Sequence, residues 1–143
     1  MRVLVIKPGQ APTTQDIDNT LEDLQELVNV QGRKYIEVFY PFNDSVACIC
    51  NEEGKLYPCF EPNRAILNDY GQVQDIVFGT LIITGISEVD GDLTSLTDKQ
   101  IEQYSHQFHY ANEFYIDPSG TLCYENVDPN TMDPEQDIEI GEE

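Results

Sequence analysis

At 143 residues the chain has the length of one domain built on one hydrophobic core. Seven Lys and Arg stand against 27 Asp and Glu, a formal net charge of −20. Such a field disfavours direct DNA or RNA binding, which runs on cations neutralising phosphates, and suits basic partners. No apolar run approaches the ~20 residues of a membrane helix, and Met1 to Lys7 does not read as a signal peptide, so the expectation is a soluble, cytoplasmic protein.

Taken in order, Arg2 to Ile6 is a Val/Ile/Leu run closed by Pro8-Gly9, the pattern of a buried strand ending in a turn. Thr13 and Thr14 offer N-cap hydroxyls, Asp16 and Asp18 suit a first helical turn, and Ile17, Leu21, Leu24, Leu27 and Val28 recur at helical spacing. The spacing predicts a helix over Gln15 to Val30, ended at Gly32. Tyr35 to Tyr40, stopped by Pro41, and Ser45 to Cys50 predict an antiparallel hairpin through Asn43-Asp44. Lys55-Leu56-Tyr57 reads as a short third strand, confined to an edge by Pro58 and Pro62.

Ile76 to Gly85 is apolar on both parities, as expected of a central strand covered on both faces or bent at Gly79. Thr97 with Gln100 forms a capping-box pattern and Leu96 with Ile101 a hydrophobic staple, predicting a helix over Asp98 to Phe108 that buries Ile101, Tyr104 and Phe108. Asp117-Pro118-Ser119-Gly120, between Glu113 to Ile116 and Thr121 to Tyr124, predicts a terminal hairpin. Val127 to Glu143 carries seven acids and no Lys or Arg, which predicts disorder or ordering only against a partner. The fold expected is α+β: a single domain over 1–125 with a mixed, largely antiparallel sheet and two helices on one face, then an acidic tail over 126–143.

Chemistry is sparse. Cys48, Cys50, Cys59 and Cys123 lack zinc-site spacing and read as thiols buried as small hydrophobes. His106 and His109 sit in no motif with a nucleophile, and the common phosphate-loop and metalloprotease patterns are absent, so no enzyme, cofactor or metal is expected. What stands out is Asn51-Glu52-Glu53-Gly54-Lys55-Leu56, with Pro62-Asn63-Arg64 close behind: carboxylates, cations and amides between apolar runs, either a hairpin tip or a site. Arg64 could hold a phosphate or carboxylate bidentately, Lys55 could add a point charge, and Asn51 and Asn63 could bond a base edge or ribose. Alternatively Glu53 and Arg64 pair with each other and hold the loop.

The ordered succession of Val3-Leu4-Val5-Ile6 with Pro8-Gly9, Leu24-Gln25 with Leu27-Val28, Tyr35-Ile36-Glu37-Val38, Asn51 to Lys55, Pro62-Asn63-Arg64-Ala65, Asp75-Ile76-Val77 with Gly79-Thr80, and Ser95-Leu96-Thr97-Asp98 carries a resemblance. It is similar to a domain-of-unknown-function family (3846) of small proteins from bacteriophages, prophages and conjugative elements. The chain departs from that pattern in its Cys-rich strand, at Val30 to Arg33, and in its C-terminal hairpin and acidic tail.

The resemblance implies a counter-defence context in the cytoplasm of a bacterial host. The function expected is sequestration, without cleavage, of a nucleotide-derived immune signal such as a cyclic ADP-ribose or cyclic dinucleotide by a homo-oligomer. The alternative is an acidic inhibitor or DNA mimic that engages a basic host defence protein. The ligand-binding positions expected are Asn51, Glu53, Lys55, Asn63 and Arg64, with Gly79 and Thr80 from the family-like segment.

Overall fold

The computed structural model describes residues 1–131. Its strands and helices follow the order β1 (Arg2–Ile6), β2 (Thr13–Asp16), α1 (Leu21–Val28), β3 (Ile36–Phe39), β4 (Val46–Asn51), β5 (Pro62–Leu67), β6 (Val73–Phe78), β7 (Leu81–Ile86), β8 (Leu93–Thr94), α2 (Asp98–Gln107), β9 (Ala111–Ile116) and β10 (Leu122–Val127). The main sheet runs β2-β1-β7-β4-β3, with β8 also pairing β7. β5 and β6 form one separate hairpin, β9 and β10 another. Every strand pairing among the described residues is antiparallel, which gives the α+β class expected from the hairpin signals.

β1, β4 and β7 are apolar at nearly every position because the sheet is covered on both faces. Leu4, Ile6, Cys48 and Ile83 pack toward Tyr104 and Phe108 at α2 and toward Ile66 and Val77 of the β5–β6 hairpin. Val3, Val5, Ile49 and Ile82 pack toward Leu24 and Val28 of α1. Each fully buried aliphatic of this kind stabilises the fold by about 1.5–3 kcal/mol relative to exposure. The two helices therefore lie on opposite faces, correcting the expectation of one face. The alternating sides of β1 and β7 are both apolar, and each needs its own cover.

The expected first helix is also shorter. Thr13 to Asp16 pairs with β1 as β2, so those threonines serve a strand, and Thr20 is the N-cap, its hydroxyl accepting from the Asp23 backbone N–H at 3.2 Å. The helix ends at Val28, and the chain turns back through Gln31 (φ 54°) and Gly32 (φ 83°), the left-handed pair that a tight hairpin turn between Val30 and Arg33 needs. Lys55 and Leu56 lie in a turn and Tyr57 in no strand, so the expected short strand does not form; the next strand is β5, which begins at Pro62, where a missing N–H is tolerated at the first position, and pairs with β6.

Ile76 to Gly85 is two strands in different sheets. Gly79 at φ 80° breaks the run, and a Cβ there would sit 3.0 Å from the Phe60 ring, so β6 ends and β7 starts across that residue. The second helix forms as expected, with a complete capping box at Thr97 and Gln100. The terminal hairpin also forms, closed by Asp117 Oδ1 accepting from the Ser119 and Thr121 backbone N–H groups. Ordered structure reaches past the expected boundary at 125, since Asn126 and Val127 pair with Asn112 and Ala111. Most of the expected acidic tail, 132–143, lies outside the described residues.

Candidate functional site

The seven positions singled out by sequence do not meet in one cavity; the structure divides them among separate structural tasks. Asn51, at the end of β4, is buried, and its Nδ2 donates to Val28 O at 3.0 Å and Arg33 O at 2.8 Å while its Oδ1 accepts from Glu53 N at 2.9 Å. It ties the exit of α1 to the turn after β4. Glu53 pairs with Arg33 at 2.7 Å, correcting the expected Glu53–Arg64 pair, and the Arg33 guanidinium lies 3.4 Å above the Tyr57 ring. Lys55 pairs with Asp75 of β6.

Asn63 and Arg64 are buried on β5. Asn63 Nδ2 donates to Ile6 O and Gly79 O, both at 2.8 Å, joining β5 to the main sheet and to the break before β7. Arg64 donates from Nε and Nη2 to Phe108 O, from Nη2 to Gln10 O, and from Nη1 to Asn63 Oδ1 at 2.9 Å. No carboxylate pairs with it among the described residues. Its counter-charge is instead a set of carbonyls, including that of Phe108 at the C-terminal end of α2, where the helix dipole favours a cation. Burial still pulls its pKa down to about 10. Gly79 serves through its backbone, donating to Glu61 O at 2.7 Å, and Thr80 is half-buried beside it. A guanidinium bonded this fully is a clamp between three segments of the protein and holds no donor in reserve for a phosphate.

A larger concavity opens elsewhere. A cleft of about 610 Å³ lies between α2, the β3–β4 loop and the turn of the β5–β6 hairpin. One wall is a stripe on α2, Gln100, Gln103 and Gln107, spaced so that they share a helix face. Asn43, Asn68 and Gln74 complete a set of six amides around it. The side chains of Asn43, Gln74, Gln103 and Gln107 hydrogen-bond nothing among the described residues, whereas Asn68 closes its own turn and Gln100 caps α2.

Aromatic side chains back the cleft: the Phe42 and Tyr104 rings lie 5.2 Å apart, and Phe42 and Phe108 6.1 Å apart. Tyr104 Oη donates to Asp44 Oδ2 at 2.7 Å, and burial together with that bond pushes the phenol pKa up. Asp44, Asp69 and Lys99 are its charged lining, so in a chain of net charge −20 this concavity is only weakly acidic and amide-rich. The α2 stripe was open to sequence reading as glutamines at helical spacing; the opposite wall was not, because Asn43, Asn68 and Gln74 come from separate loops and a strand.

His106 is exposed, and His109 stacks edge-on against Tyr110 with ring centroids 5.1 Å apart. Burial pushes the Cys48 and Cys50 thiols up to about 12. No group of His, Cys, Asp and Glu among the described residues has the arrangement of a metal site, and no helix there is long and apolar enough to cross a membrane.

Residues 1–109 match a family described as a domain of unknown function (DUF3846). No curated protein and no solved structure matches the chain.

Proposed function

The chain belongs to the DUF3846 family, and on that premise we propose that it is a non-catalytic binding protein that sequesters a nucleotide-derived immune signal in the cytoplasm of a bacterial host. The observation that carries this reading is the convergence of six amide side chains on one cleft of about 610 Å³. An amide offers an acceptor and two donors on one plane, the pattern presented by a nucleobase edge. The half-buried Phe42 ring, packed on the buried Tyr104, supplies apolar surface for the base beside those amides. A volume of several hundred Å³ suits a small-molecule ligand.

Binding without turnover is supported by the chemistry on hand. Neither histidine hydrogen-bonds a hydroxyl or thiol among the described residues, and Cys48 and Cys50 are held as thiols, not thiolates. A second reading, an acidic inhibitor of a basic defence protein, draws on the net charge of −20.

Calorimetry with cyclic ADP-ribose and with a cyclic dinucleotide, alongside mass spectrometry of molecules released by heat from protein mixed with lysate of defence-activated cells, separates the two. Sequestration requires uptake of an intact nucleotide that is lost in the Gln103→Ala, Gln107→Ala double variant. Uptake unchanged in that variant removes the cleft from the account, and no uptake of any nucleotide leaves the inhibitor reading.

A further inference from the structure

Among the described residues β3 ends one side of the main sheet and pairs with β4 alone. The Glu52 N–H donates to Tyr35 O at 2.8 Å, so Tyr35 and Glu52 form a hydrogen-bonded pair of the ladder. Antiparallel pairs alternate, and with Ile36 opposite Asn51 and Val38 opposite Ile49, the N–H and C=O groups of Ile36 and Val38 point away from β4. Among the described residues no backbone or side-chain group bonds them from that outer side. Large side chains flank this open edge: Tyr35 is 60% exposed and Tyr40 65%.

On the face of Glu37 and Phe39, a hollow of about 170 Å³ lies beside the same strand. It would hold about six water molecules' worth of volume. Its apolar lining includes Phe39, Cys50 and Leu56, and its acidic lining is Glu37, Glu52 and Asp75. Among the described residues Lys55 is the one cation lining it, already held by Asp75. An apolar shaft with carboxylates around it matches a long side chain with a methylene stem and a cationic head. Strands added to a sheet edge combine main-chain bonds for affinity with a pocket for every second side chain, and both parts are in place here.

We propose that β3 is a docking edge for an extended cationic segment of a partner protein, which adds as a further strand and lodges a Lys or Arg side chain in the hollow beside Glu37. Charge decides the occupant. The field of a chain at −20 draws a basic segment in and repels a second copy of itself. The edge lies apart from the amide cleft: the two concavities share no lining residue, so this site stands or falls independently of nucleotide binding.

The test uses the full chain and a capped peptide of alternating valine and lysine. Binding is read by calorimetry and backbone hydrogen exchange, and self-association by sedimentation. Expected are binding that weakens with added salt, slowed exchange at Ile36 and Val38, and about tenfold weaker binding by the same peptide N-methylated on the amides facing β3, the loss of two ordinary hydrogen bonds. Glu37→Lys should weaken binding of the unmethylated peptide as well.

Absence of binding overturns the proposal, and so does equal binding of the methylated peptide, which would mean charge attraction without strand addition. A dimer of the free protein that Val38→Pro converts to monomer also overturns it, giving the edge to a second copy. Because the methylated peptide probes the intact protein, its binding discriminates whether or not Val38→Pro folds.

Discussion

The Arg64 clamp and the amide cleft are both dense in polar groups, and they differ in where their hydrogen bonds go. Arg64 is buried and directs its donors to carbonyls at Phe108 and Gln10 and to the Asn63 side chain. In the cleft, Gln103, Gln107, Asn43 and Gln74 face open volume with no protein partner among the described residues. A polar side chain whose bonding capacity is filled by its own fold is part of the framework; one aimed into a concavity with capacity left over can recognise something else. Of the cluster most conspicuous in the sequence, Asn51, Glu53, Asn63 and Arg64 belong to the framework.

The comparison breaks most readily at Arg64. Replacing it by alanine strands the carbonyls of Phe108 and Gln10 and empties a fully buried volume, so Arg64→Ala should lose about 3–5 kcal/mol in chemical denaturation. A loss under about 1 kcal/mol would return Arg64 to the pool of ligand-binding candidates.

A second test concerns the thiols on β4, Cys48 buried and Cys50 half-buried. Cys48 and Cys50 have folded pKa values raised from 9.0 to about 12, principally by desolvation. The folded state holds those protons more tightly, so the stabilisation is complete below pH 9 and falls as pH rises toward 12. Arg64, lowered from 12.5 to about 10, acts with the opposite sign and only above pH 10. The melting temperature should therefore fall between pH 9 and pH 10, and fall less steeply in Cys48→Ala. Parallel slopes for the two proteins would show that the thiol does not titrate with unfolding.

The smallest effect on stability belongs to the cleft. Gln103→Ala removes an exposed amide with no protein partner and should change unfolding free energy by no more than about 0.5 kcal/mol. A larger loss would mean that the α2 stripe is holding the fold together, collapsing the distinction from Arg64.

Strand and helix periodicity made much of the fold legible. The capping box at Thr97, the Asp117 to Gly120 turn and the β3–β4 hairpin formed as their local chemistry indicates, because each is decided within a few residues. Expectation and structure part where distant partners decide. Thr13 and Thr14 satisfy a helix cap and a strand equally well, and pairing with β1 selects the strand. The run from Ile76 to Gly85 holds no charged residue and no proline, so Gly79-Thr80, with Gly79 at positive φ, is what marks the passage between sheets. At the site, Asn51 and Arg64 were identifiable as unusual, but a sequence does not say whether an arginine faces a ligand or the end of a helix more than forty residues away.

The hairpin of β9 and β10 lies beyond the family-matched residues, yet Asn112 accepts a bond from the Ala65 N–H at 2.9 Å and Ala111 is completely buried. In this chain the matched portion is thus not a self-contained block. Its β5 border is finished by a strand from outside, and a fragment cut after residue 109 would carry an unsealed seam just next to the Arg64 clamp.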